Sequence, residues 1–180
     1  MTGLLPDRGI GRRVASGFGA IAVLLVLDGG GMRAEAQTET EVAASNFALA
    51  VDLCLQNVRT ADAAPDAFRA AGFTLRDADE GTFIFNAPGV SGFLSPLLIT
   101  EWCWVESPQL NFAQVQTIGH ERALYRYPQG TSGPAQRGEL ANGCPSISLL
   151  VANRIAMLEF RNAGFWEGCD SPETGGVLFN

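Results

Sequence analysis

His120 is the only histidine in the 180 residues, so any catalysis by an imidazole base has to run through it. Its neighbour Glu121 invites a catalytic dyad, but consecutive residues point about 100° apart on a helix and to opposite faces on a strand. A partner for His120 would have to come from another element. Serine nucleophiles are no better placed. Gly89-Val90-Ser91-Gly92 lacks the spacing of a nucleophile elbow, and Ser132 sits in the polar run Thr131-Ser132-Gly133. Lysine is absent from the chain, which removes Schiff-base chemistry. Glu101, Glu106, Glu121 and Glu159 can be paired in many ways for glycoside chemistry, and none is singled out. Asp77, Asp79 and Glu80 crowd one turn without the twelve-residue calcium loop and its distal glutamate, so they read as a solvated turn. No glycine-rich stretch follows a strand and opens a helix, so no phosphate cradle is expected. Neither a cofactor nor a metal is implied.

The four cysteines, Cys54, Cys103, Cys144 and Cys169, carry the other chemistry. None lies in a C-x-x-C pair, and a single histidine cannot complete a usual zinc set with partners so scattered. An even number in an exported chain reads as two disulfides, for which three connectivities exist. The expected pairs are Cys54–Cys103 and Cys144–Cys169, because the second would staple a C-terminal hairpin to the segment after it.

The aromatic residues suggest binding rather than reaction. Trp102 and Trp104 alternate with Cys103 and should project from one side of a strand, either as core or as an exposed platform for a glycan, a peptide or a partner protein. A second candidate is the stretch Gly89 to Leu94, read as a loop whose Val90, Phe93 and Leu94 either tuck over a core edge or form an apolar tip. Trp166 should pack against the second disulfide.

The context in which these residues work is set by the first 36. Arg12-Arg13 precedes an uncharged stretch from Val14 to Leu27, and Ala34-Glu35-Ala36 supplies a small-x-small cleavage site. That is the layout of a secretory signal peptide, too short to span a bilayer as a helix. Val14-Ala15-Ser16 lacks the bulky apolar residues of a twin-arginine signal, and no cysteine follows the apolar core to be lipidated. The expected location is the periplasm or the exterior, after cleavage near Ala36. Removing 36 of 180 residues leaves 144, enough for one domain with no transmembrane segment. Eight arginines then stand against 16 acidic residues, a net charge of −8. So acidic a surface disfavours nucleic acid as a partner.

Along this mature part, Gln37 to Ala44 reads as loose. Phe47, Val51, Cys54, Leu55 and Val58 then recur at helical spacing, and Pro65 with Gly72 brackets a short helix anchored by Phe68. Phe73–Arg76 and Thr82–Asn86 predict a hairpin, and Leu97–Glu106 a central strand. A third helix is expected from Ser107-Pro108 to Tyr127, buried through Leu110, Ala113, Thr117, Ile118, Leu124 and Tyr125. Pro128–Gly143 reads as a loop. Ile147–Ala152 and Ile155–Arg161 predict a second hairpin turning at Asn153-Arg154, and Val177–Phe179 an edge strand. The fold class is therefore α+β: a mainly antiparallel sheet of about five to six strands with two to three helices, and no visible repeat.

These features favour an exported, non-catalytic binding protein whose contacts run through Trp102, Trp104, Val90, Phe93 and Leu94. The envelope supplies its expected partner: a protein, a glycan or a peptide. The alternatives are a small hydrolase using His120, or a carrier of a small apolar ligand under the Gly89–Leu94 segment.

Overall fold

The structure is a computed structural model that describes residues 37–79, 81–97, 102–128, 136–139, 143–151, 154–164, 168–169 and 174–179. The expected leader (1–36), together with Glu80, residues 98–101, Ser132, Asn153 and Trp166, lies outside the described residues.

Helix α1 spans Glu39–Asn57 and begins six residues earlier than its apolar stripe suggests. Thr38 and Glu41 form a reciprocal capping box, in which the Thr38 side chain accepts from the Glu41 N–H and the Glu41 carboxylate accepts from the Thr38 N–H. Glu39 and Glu41 also favour the positive end of the helix dipole. The stretch read as loose is thus the first turn, with Ala43 already in the core. Phe47, Val51, Cys54 and Leu55 are fully buried, as their spacing predicts. A 3₁₀ turn (Ala61–Ala63) leads into α2, Ala64–Ala70, which starts with Pro65 and buries Phe68.

Strands β1 (Thr74–Asp77) and β2 (Phe83–Ala87) form the expected hairpin. The next segment corrects the sequence reading. Val90–Leu94 is a strand, β3, paired with β2 and with β4, Cys103–Ser107. Its apolar alternation is masked because the inward position between Val90 and Leu94 is Gly92, set against the Phe85 ring. Leu97 lies in a turn and is 75% exposed, so the central strand starts later than expected.

Helix α3 covers Phe112–Arg126. Asn111 and Gln114 cap it reciprocally, whereas Ser107, expected near its start, ends β4 and donates its hydroxyl to the Gly89 carbonyl at 2.7 Å. The expected buried stripe is rotated. Val115, Gly119 and Ala123 face inward, while Leu124 is 41% and Tyr125 70% exposed. Gly119 is the reason: a Cβ there would lie 2.6 Å from the Phe160 ring, so the glycine lets α3 sit directly on the sheet.

The second half completes the sheet with β5 (Gln136–Glu139), β6 (Pro145–Val151), β7 (Arg154–Asn162) and β8 (Gly175–Phe179). β5 falls inside the stretch read as loop. In the β6–β7 hairpin Val151 pairs with Arg154, two residues from the expected register. A slip of two leaves every side chain on its predicted face, so Ile147 and Leu149 still share the core face with Ala156 and Leu158.

Among the described residues the sheet has eight antiparallel strands in the order β1-β2-β3-β4-β8-β7-β6-β5, more than the five to six expected. The first half runs from α1 and α2, and the second from α3, into a four-strand meander, and the last strands of the two halves, β4 and β8, pair at the centre. β8 is therefore central rather than an edge, and all five of its residues are buried. The helices cover one face, α1 against β4 and α3 against β8 and β7. Both expected disulfides form. Cys54–Cys103 ties α1 to β4 (Cα–Cα 6.2 Å), and Cys144–Cys169 ties the start of β6 to the β7–β8 connection (Cα–Cα 5.5 Å). Among the described residues no helix is long and apolar enough to cross a membrane.

Candidate functional site

Strict alternation sorts each strand into a face under the helices and a face away from them. Cys103, bonded to α1, and Val105 point to the helices, so Trp104 and Glu106 point away. The register extends this sorting across neighbouring strands. Ile84, Phe93, Trp104 and Leu178 stand opposite one another in one row, crossing β2, β3, β4 and β8. Asn86, Ser91, Glu106 and Gly176 form the next row on the same face. Two residues along a strand separate the rows, about 6.6 Å. An apolar row thus runs beside a polar one.

A cleft of about 410 Å³ opens over these rows, lined by Ile84, Ser91, Gly92, Phe93, Trp104, Glu106 and Gly164. Its polar end is organised by Glu106. One carboxylate oxygen accepts from the Ser91 hydroxyl at 3.2 Å and the other from the Gly164 N–H at 2.6 Å. Both partners are neutral, and among the described residues no cation pairs with Glu106. Arg161, next in the polar row beyond Gly176, is held by Glu159 through its Nε at 3.0 Å and by a second contact from its terminal nitrogen. At the far end of the apolar row Arg76 stands beyond Ile84, outside the lining.

Trp104 shapes the floor. Its ring covers Gly176 so closely that a Cβ there would lie 2.3 Å from its Cη2, and the residue is only 2% exposed. The platform reading of the tryptophans is corrected accordingly. Trp102 is 5% exposed and belongs to the core cluster that includes Cys54, its ring 6.2 Å from Phe179. It precedes the first residue of β4, so strand alternation does not hold it beside Trp104. Nor do Val90 and Leu94 form a tip: they are inward positions of β3, buried in the core. Of the five expected contact residues, the cleft brings together Phe93 and Trp104. It adds Ile84, Ser91, Gly92, Glu106 and Gly164, which composition did not single out. A usable signal existed for two of them, because Glu106 follows Trp104 and Ser91 precedes Phe93 by two residues, the strand period.

His120 belongs to the other layer. It is half-buried on α3, one residue past the glycine that packs on Phe160, so the sheet stands between it and the cleft. A second cavity of about 340 Å³ lies between α1 and α3, lined by Ala44, Leu110, Ala113, Thr117 and Ile118, and by the capping pair Asn111 and Gln114. His120 lines neither. Among the described residues no three histidine, cysteine or acidic side chains stand close enough to share a metal ion. Comparison with protein-family models, with curated proteins and with solved structures found no match.

Proposed function

We propose that this protein is an exported, non-catalytic binding domain that holds a small ligand in the cleft over β2, β3 and β4. One observation carries the reading: an apolar row (Ile84, Phe93, Trp104) and a polar pair (Ser91, Glu106) converge on one concavity. Ligand sites are mostly apolar concavities with a few placed polar groups that fix orientation, typically about 300–1,000 Å³ in volume. Catalysis is the weaker reading here. Ser91 meets a carboxylate but no imidazole, and His120 is on the far side of the sheet.

Export is supported by the leader-like residues 1–36 and by two disulfides, which persist in oxidising compartments. The binding reading is tested by screening apolar fragments by ¹H–¹⁵N NMR. Hits should move the amides of Ser91, Gly92, Phe93 and Gly164 together. Hits whose shifts map only to the α1–α3 groove, or a screen that moves none of these amides, would overturn it.

A further inference from the structure

Resting on that binding reading, we propose that the cleft selects a small organic cation: an ammonium group carried on an apolar, preferably aromatic, body. Glu106 lacks a cationic partner among the described residues. Its two oxygens each accept one hydrogen bond from a neutral donor, and no described cation neutralises it. Both nearby arginines are placed elsewhere. Arg161 is engaged by Glu159, and Arg76 stands past Ile84 at the edge strand. A carboxylate has about four lone-pair sites, so Glu106 retains acceptor capacity for an incoming N–H donor.

The second step is distance. The carboxylate row and the aromatic row are about 6.6 Å apart along the strands. An ammonium seated on Glu106 would therefore lay a two-carbon stem and a ring over Phe93, with Trp104 beneath. Aromatic faces also attract cations within about 6 Å, so both ends of the cleft favour the same charge. The third step is exclusion. Among the described residues of the lining Glu106 is the one ionisable side chain, and a carboxylate ligand would meet it with no compensating base among them. The chain as a whole carries a net charge of −7, which raises the local concentration of cations.

The test is a calorimetric series on the oxidised protein with three near-isosteric probes: 2-phenylethylammonium, 2-phenylethanol and phenylacetate. The expected order is ammonium, then alcohol, then carboxylate, with the ammonium favoured over the alcohol by about tenfold. Glu106→Gln should remove that preference, bringing the ammonium down to the affinity of the alcohol. Raising the salt concentration of the wild type should weaken the ammonium but not the alcohol, a readout that needs no variant to fold. If the alcohol binds as well as the ammonium and shifts the Ser91–Phe93 amides, the ligand class is wrong and the binding reading survives. If no probe binds and the fragment screen moves none of those amides, both fail.

Discussion

The backbone N–H of Gly164 donates to the Glu106 carboxylate at 2.6 Å, joining residues 58 positions apart. Through this bond Gly164, just past the end of β7, is fastened to β4 of the other half, and it lines the cleft. Glu106→Ala leaves the Gly164 N–H and the Ser91 hydroxyl without their acceptor. It should cost about 1 kcal/mol of stability, and Glu106→Gln, which keeps an acceptor oxygen, less than that. Chemical denaturation gives the energies. Amide exchange at Gly164 should accelerate in the alanine variant and much less in the glutamine one.

Gly176 lies under the Trp104 ring with no room for a methyl group. Gly176→Ala should destabilise the domain by about 1–3 kcal/mol through overpacking. It should also lift Trp104 and change the near-UV circular dichroism. Fragment binding should fall with it, because the ring forms the floor of the cleft.

The two disulfides close loops of different length, with separations of 49 residues for Cys54–Cys103 and 25 for Cys144–Cys169. In the chain-entropy picture their removal costs about 4 and about 3.5 kcal/mol respectively. Cys54→Ala/Cys103→Ala should therefore lower the denaturation midpoint more than Cys144→Ala/Cys169→Ala. The order would reverse if the Cys144–Cys169 bridge were the greater source of stability.

Tyr127 gives the domain an alkaline limit. Its phenol donates to the Leu55 carbonyl at 2.9 Å. Burial raises its pKa above the usual tyrosine value, against the opposing pull of Arg126 and Arg59. The folded chain thus holds this proton more tightly than the unfolded one. The contribution is complete below the free-tyrosine pKa of about 10 and is lost as pH rises through the higher folded value. Melting temperatures taken at about pH 9 and about pH 11.5 should fall further in the wild type than in Tyr127→Phe.

Much of this architecture is legible in the sequence, for identifiable reasons. The α1 stripe, the β1–β2 and β6–β7 hairpins and the α+β class follow from periodicity, and both cysteine pairs link segments as expected. Three of the misses share one physical cause, close approach at glycine. Gly92 breaks the alternation of β3, and Gly119 turns the buried face of α3 away from its larger apolar residues. Gly175 and Gly176 make the central strand β8 look like a weak edge: a Cβ at Gly175 would crowd Phe112 and Val115 of α3, and one at Gly176 the ring of Trp104. The duplicated helix-plus-meander plan is invisible in the residues because it is a repeat of topology, with no repeat of sequence. The cleft was half legible. Phe93 and Trp104 stood out as aromatic, but their meeting on one row depends on a cross-strand register that neither run encodes alone.

The most direct test of the account is a crystal structure of the protein with its tightest-binding fragment. Ligand density is expected over the Ile84–Phe93–Trp104 row, with the polar end of the ligand within hydrogen-bond distance of Glu106. Density confined to the groove between α1 and α3, with the β2–β3–β4 cleft empty at full ligand occupancy, would contradict it.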